Sequence, residues 1–136
     1  MVRPIMKDIF FLQQKSEQAD KNDLPIARDL EETLAAHEEE CVGMAANMIG
    51  VKKRIIAVQL GFVRLLMINP EITAKSQPYE TQEGCLSLSG VRPTTRYQTI
   101  EVSFQDKNFR KQKQTFSGSI AQIIQHEIDH CNGILI

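Results

Sequence analysis

The segment His126-Glu127-Ile128-Asp129-His130 constrains this chain more than any other feature. On an α-helix, two histidines four residues apart lie on the same face, about one turn apart, and can bind one divalent metal ion. Glu127 lies about 100° around the helix from His126, so it can flank the ion without binding it. A carboxylate in that position suits proton transfer with a metal-activated water. The pattern therefore predicts a catalytic metal site on a helix.

A catalytic site of this kind needs a third protein ligand and one open position. No His, Asp or Glu follows His130, and Cys131 points about 140° away from His126, so we expect an upstream ligand. The candidates are His37, Cys41, Cys85 and the acidic residues. Cys85 is the best of them, because a thiolate suits iron, zinc, cobalt or nickel beside two neutral imidazoles. The preceding Gly84 would also let the backbone approach the ion closely.

Three segments resemble the signature motifs of the peptide deformylases, metallohydrolases that remove the formyl group from the N-terminal methionine of new proteins. Residues 83–87 (EGCLS) and 125–135 (QHEIDHCNGIL) resemble the second and third motifs, and 41–48 (CVGMAANM) resembles the first, GxGLAAxQ. The order and spacing agree from about residue 25 onwards. The second and third motifs form a specific pair, whereas the first is a weaker match.

The first motif departs from the family pattern at its two ends. Met48 stands where the family has a glutamine that hydrogen-bonds the oxyanion, and a thioether cannot donate such a bond. Asn47, one position earlier, carries an amide that could substitute if the loop shifts. Cys41 replaces the first glycine. Loss of one oxyanion donor typically costs about 2.7–4 kcal/mol of transition-state stabilisation, which predicts a slow enzyme or a deformylase-like protein with weak or altered activity.

The resemblance implies a mechanism and a set of site residues. Cys85, His126 and His130 would bind one divalent ion, Fe²⁺ in the first place, with Zn²⁺, Ni²⁺ or Co²⁺ as alternatives. Glu127 would take a proton from the metal-bound water and return it to the leaving amine. The backbone N–H of Leu86 would bind the oxyanion.

The same resemblance implies a substrate site and partners. An apolar pocket with Val42 and Ile123 in its lining would hold the methionine side chain, and Gly43 and Gly84 would offer main-chain hydrogen bonds. The expected partners are N-formylmethionyl nascent peptides, with a transient ribosome contact. A zinc peptidase, suggested by HExxH alone, is the weaker alternative.

Composition excludes several other classes. The formal net charge of −1 argues against general nucleic-acid binding, and we expect no DNA partner. Three cysteines, one of them assigned to a metal, indicate a reducing compartment. The apolar run Ile9–Leu12 is too short for a signal or membrane segment. We therefore expect a cytoplasmic protein without membrane association.

The expected fold is α+β and forms a single domain over residues 1–136. Small antiparallel or mixed sheets would surround a buried C-terminal helix carrying HEIDH, with an N-terminal helix packed outside. The periodicity of residues 26–34 predicts that outer helix, extending to about Glu39. The segment 43–50 is expected to be a loop, and so is 76–84, which is polar and contains Pro78. Alternating residues at 99–105 predict a strand that pairs with 109–116 in a hairpin.

Overall fold

A meander of five antiparallel strands forms the framework in the computed structural model, which describes residues 1–136. Each strand pairs with the next one along the chain, so the spatial order follows the sequence order. The strands are β1 (Gly43–Ala45), β2 (Ile55–Leu60), β3 (Val63–Cys85), β4 (Leu88–Gln105) and β5 (Lys111–Ser117). The expected hairpin near residue 106 is thus confirmed, and all strand pairs are antiparallel rather than mixed.

Helices cover both faces of this sheet. They are α1 (Ile9–Leu12), α2 (Leu24–Ala36) and α3 (Gly118–Cys131). Alternation along β2 divides the core, because Ile55 packs with α2 residues such as Leu30, whereas Ile56 packs with α3 residues such as Ile124. The expected architecture, a sheet around a buried C-terminal helix with an N-terminal helix outside, is confirmed. The outer helix ends at Ala36 rather than near 39.

The loop expected at 76–84 is wrong, because this segment belongs to β3. The hairpin of β3 and β4 is long and irregular, with register shifts between Ile68 and Glu71, between Ile72 and Ala74, and next to Cys85. Turn-forming residues lie inside the strand, where they mark irregularities rather than ends. Asn69, for example, has a positive φ of 53°, and its side chain binds the backbone of Ala19. An exposed, two-sided ribbon can therefore have the polar composition of a loop.

The loop expected at 43–50 is also wrong. Strand β1 occupies its first three residues, and a 3₁₀ turn, Ala46–Ile49, follows before Gly50. All residues of β1 and of this turn are buried, and both segments contact α2 and α3. Burial and pairing with β2 stabilise a regular structure in this segment, which its local sequence preference did not indicate.

Candidate metal centre

Three potential ligand atoms converge between the end of β3 and the middle of α3. The Sγ atom of Cys85 lies 3.3 Å from Nε2 of His130, which lies 3.3 Å from Nε2 of His126. All three atoms are within 4.8 Å of one another. A tetrahedral ion with nitrogens at ~2.05 Å and sulfur at ~2.3 Å separates N from N by ~3.3 Å and N from S by ~3.6 Å. The donor types and their spacing therefore fit one divalent metal ion.

A buried carboxylate orients one of the two histidines. Oε1 of Glu83 lies 2.8 Å from Nδ1 of His126, which leaves Nε2 of the same ring to face Cys85 and His130. Arg96 binds both oxygens of Glu83 and also donates to Asp129 at 2.7 Å. The site is therefore supported by a connected polar network.

This supporting role of Glu83 was missed at the level of sequence, as was that of Gln122. Nε2 of Gln122 donates to Oε2 of Glu83 at 2.9 Å. Two regularities could have indicated both residues. Glu83 precedes Cys85 by two positions in a strand, and Gln122 precedes His126 by four in a helix, so each lies on the same face as a ligand.

The network sets the charges of the site. Burial alone would raise the pKa of Glu83, but hydrogen bonds with His126, Arg96 and Gln122 outweigh it and hold that pKa at about 2. Burial alone would lower the pKa of His126, but contacts with Cys85 and Glu83 outweigh it and raise that pKa to about 10. Burial lowers the pKa of His130 to about 3. Ligands must be deprotonated, so binding of a divalent ion to this site should release a proton.

Glu127 is buried next to the ligands without a polar partner. Only 4% of the residue's surface is exposed to solvent, and its Oε1 atom forms no hydrogen bond. Burial raises its pKa to about 7, where a carboxyl group exchanges protons readily at neutral pH. Gly43 forms one wall of its position, since a Cβ atom at residue 43 would lie 3.0 Å from Oε2 of Glu127. An unpaired buried carboxylate is costly to a fold and is typical of a reactive site.

A cavity of about 500 Å³ has Cys85, His126 and Glu127 in its lining, whereas His130 is fully buried behind it. The residues expected to bind the substrate all line it: Val42, Gly43, Gly84, Leu86 and Ile123. Glu40, Gly90 and Gln122 also line the cavity, and no sequence pattern had indicated them. An added Cβ at Gly84 would make only ordinary contacts with the protein, the nearest at 3.5 Å. The close approach of the Gly84 backbone to a metal ion stays a prediction.

Met48 and Asn47 lie in different surroundings. Met48 lines the cavity, and its Sδ accepts a hydrogen bond from the backbone N–H of Ala45 at 3.5 Å. Asn47 is fully buried outside the cavity lining, and its Nδ2 donates to the backbone oxygen of His130 at 2.9 Å. The only side chain that this turn presents to the cavity is therefore a thioether.

The family model for polypeptide deformylase matches residues 4–136. The chain belongs to the polypeptide deformylase family. It is 60% identical to a peptide deformylase from Clostridium beijerinckii, over the full length of both chains. A crystal structure of a peptide deformylase from Thermotoga maritima superposes with a TM-score of 0.88 at 26% identity, covering 99% of this chain and 95% of the other.

A third relative has a small peptide in its crystal structure. The class I type b deformylase from Acinetobacter baumannii with bound Met-Ala-Ser gives a TM-score of 0.88 at 28% identity, covering 99% of this chain and 97% of the other. Membership of the polypeptide deformylase family makes this protein a metal-dependent hydrolase that acts on a linear amide. None of its helices combines the length and apolar character needed to cross a membrane.

Proposed function

We propose that this deformylase removes the N-formyl group from the N-terminal formyl-methionine of newly made polypeptides, with Cys85, His126 and His130 as the metal ligands. The observation that carries the proposal is the convergence of these three ligand atoms near the unpaired carboxylate of Glu127, with Cys85, His126 and Glu127 lining one cavity. The Met-Ala-Ser peptide bound to the Acinetobacter relative supports a site for a peptide that begins with methionine.

Glu127 is the proton carrier in this proposal. Its carboxylate, whose buried Oε1 has no competing hydrogen-bond partner, accepts a proton from the attacking water and returns it to the amine nitrogen as the C–N bond breaks. The products are formate and a peptide with a free amino group. A bound divalent ion would supply acidification of the water and polarisation of the formyl oxygen. We assign the ion as Fe²⁺; the same ligands also suit Zn²⁺, Ni²⁺ and Co²⁺.

The cavity lining supplies the remaining roles. The backbone N–H of Leu86 is the proposed donor to the developing oxyanion. Val42 and Ile123 would contact the methionine side chain, and Gly43 and Gly84 would bind the peptide backbone. A transient ribosome contact and a cytoplasmic location stay predictions.

The test is formate release from a formyl-methionyl tripeptide by anaerobically prepared, Fe²⁺-loaded protein, beside a Glu127→Ala variant. We expect turnover by the wild type and none by the variant, with equal metal content in both. Metal bound stoichiometrically without turnover in the wild type would refute the proposal of an active enzyme.

Met48 favours a second candidate, a deformylase with weak or altered activity. The thioether of Met48 lines the cavity where an amide donor is expected from the family motif, and the Asn47 amide is engaged with His130 outside it. A measurable but slow turnover that Met48→Gln raises would identify this form.

A further inference from the structure

Gln122 connects the substrate cavity to the support of a metal ligand. It lines the cavity, and its side-chain amide donates to Oε2 of Glu83 at 2.9 Å. The other oxygen of Glu83, Oε1, lies 2.8 Å from Nδ1 of His126. A chain of two hydrogen bonds therefore leads from a side chain in the cavity wall to the imidazole that presents Nε2 to the metal site.

The two oxygens of Glu83 are not held equally. Oε1 receives Nη2 of Arg96 at 2.7 Å in addition to its contact with His126, whereas Oε2 has Nε of Arg96 at 3.0 Å and Gln122 at 2.9 Å. Nε of Arg96 is shared, since it also lies 3.2 Å from Oε1. Gln122 is therefore the one donor that binds Oε2 alone.

The terminal torsion of a glutamate side chain is broad, so its carboxylate turns easily unless both oxygens are held. If the Glu83 carboxylate turned towards the Arg96 guanidinium, which both of its oxygens contact, Oε1 would move away from Nδ1 of His126. A fixed Nδ1 contact sets the ring orientation of a metal-binding histidine and keeps Nε2 available. Gln122 opposes this rotation from the side that faces the cavity.

We propose that Gln122 is a positioning residue for the metal site, which holds the Glu83 carboxylate in the orientation that His126 requires to bind the ion. The inference rests on the metal site of the proposed function, and it assigns a role to a residue outside the three sequence motifs. A side chain in the cavity wall thereby influences metal affinity without touching the metal.

The experiment measures Co²⁺ binding to the metal-free protein by competition with a chelator, together with the visible absorption spectrum of the Co²⁺ form. Gln122→Met keeps the length of the side chain and removes the amide. We expect about tenfold weaker Co²⁺ binding and an altered spectrum, at the low end of the ~10–100-fold losses typical when the partner of a metal-binding histidine is removed. Gln114→Met, the same change on the exposed strand β5, controls for the substitution itself.

A double-mutant cycle with Glu83→Gln separates positioning through Glu83 from a general effect on the fold. If Gln122 acts through Glu83, Gln122→Met should add less than twofold to the loss in Co²⁺ affinity already caused by Glu83→Gln. Additive losses, or a Gln122→Met protein with wild-type Co²⁺ affinity and spectrum, would overturn the proposal. Failure of the wild-type protein to bind Co²⁺ would instead refute the metal site itself. Thermal unfolding of each metal-free protein shows whether it is folded.

Discussion

The sharpest test of the active-site geometry is the addition of one methyl group at Gly43. A Cβ atom there would lie 2.7 Å from Cγ2 of Ile123, and 3.0 and 3.1 Å from Oε2 and Cγ of Glu127. The first distance is a clash, and the other two are tighter than normal packing. Because Ile123 is β-branched and stiff at χ1, we expect Glu127, which has only packing to hold Oε1, to move.

The magnitudes follow from these contacts. Overpacking of a close-packed site costs about 1–3 kcal/mol of the free energy of unfolding. A displacement of a catalytic group by about 1 Å can cost about 10²-fold in rate. Gly43→Ala should therefore lower kcat/KM for formyl-methionyl peptides about 10²-fold. Metal content should stay at the wild-type level, since the three atoms nearest to the added methyl group belong to Ile123 and Glu127 and not to the proposed metal ligands.

The assay is formate release by metal-loaded protein, with metal content and denaturant unfolding measured on the same preparations. Gly84→Ala is the matched control in the same cavity, because its added Cβ has its nearest neighbour at 3.5 Å; we expect less than a tenfold loss. In an Ile123→Ala background the 2.7 Å clash is gone, so Gly43→Ala should cost much less there. A Gly43→Ala enzyme within threefold of wild-type kcat/KM would show that Gly43 does not fix the position of Glu127.

Four further predictions concern other parts of the site. Met48→Gln should raise kcat/KM, by up to ~10²–10³-fold if its amide reaches the oxyanion; an unchanged rate of formate release would mean that other donors suffice. At pH 8, iodoacetamide should alkylate Cys85 in the metal-free protein only. Cys41 should react little in either form, because burial raises its pKa to about 11. Mass spectrometry of the alkylated holo- and apoprotein measures both; equal labelling of Cys85 in the two forms would contradict its role as a ligand. Glu83 has a folded-state pKa of about 2, below its ordinary 4.5, so the unfolding free energy should fall as the pH drops from about 5 to 2. Glu83→Gln should flatten that decline. An equally steep decline in the variant would contradict the assignment. Arg96→Met should cost about 3–5 kcal/mol of unfolding free energy in denaturant titrations, because it leaves the buried carboxylate of Glu83 and the half-buried one of Asp129 without their cation; a loss below about 1 kcal/mol would contradict this.

The metal cluster was predictable because helical spacing fixes two of its members and chemistry restricts the third. His126 and His130 have to share a face once residues 118–131 form a helix, whatever surrounds them. Cys85 could be selected among the upstream candidates by its ligand chemistry and its motif. None of these steps needed the path of the chain between the motifs.

The course of the chain between the motifs was harder to predict from the sequence than the motifs' own roles. Pro78 and the polar residues of 76–84 have the composition of a loop, yet they form part of a strand whose partner is supplied by β4. Similarly, local preference could not show that Gly43 to Ala45 pairs with β2. Strand pairing depends on distant partners, and those are fixed by the whole fold rather than by the segment itself.

The sequence left open whether Asn47 or Met48 faces the cavity, and the structure shows that Met48 does. From the sequence alone, either Asn47 or Met48 could face the reaction, since a shift of one residue exchanges them. In the structure the Asn47 amide binds the backbone oxygen of His130, a contact that joins this turn to α3, the helix that carries His126 and His130. Turning Asn47 towards the cavity would break that buried hydrogen bond and leave the carbonyl oxygen with one partner fewer.

Glu127 supplies the strongest physical argument for catalysis. Burial of a carboxylate without a hydrogen bond destabilises a fold, and a glutamine or a methionine at the same position would avoid the charge. The neighbouring carboxylates Glu83 and Asp129 differ from it, because both are neutralised by Arg96 and contribute to a structural network. In Glu127→Gln the charge is lost while the shape is kept, so we expect a metal-free protein that is at least as stable as the wild type and a metal-loaded protein without turnover. A variant that is both less stable and still active would contradict this reasoning, since it would show that the carboxylate serves the fold and not the reaction.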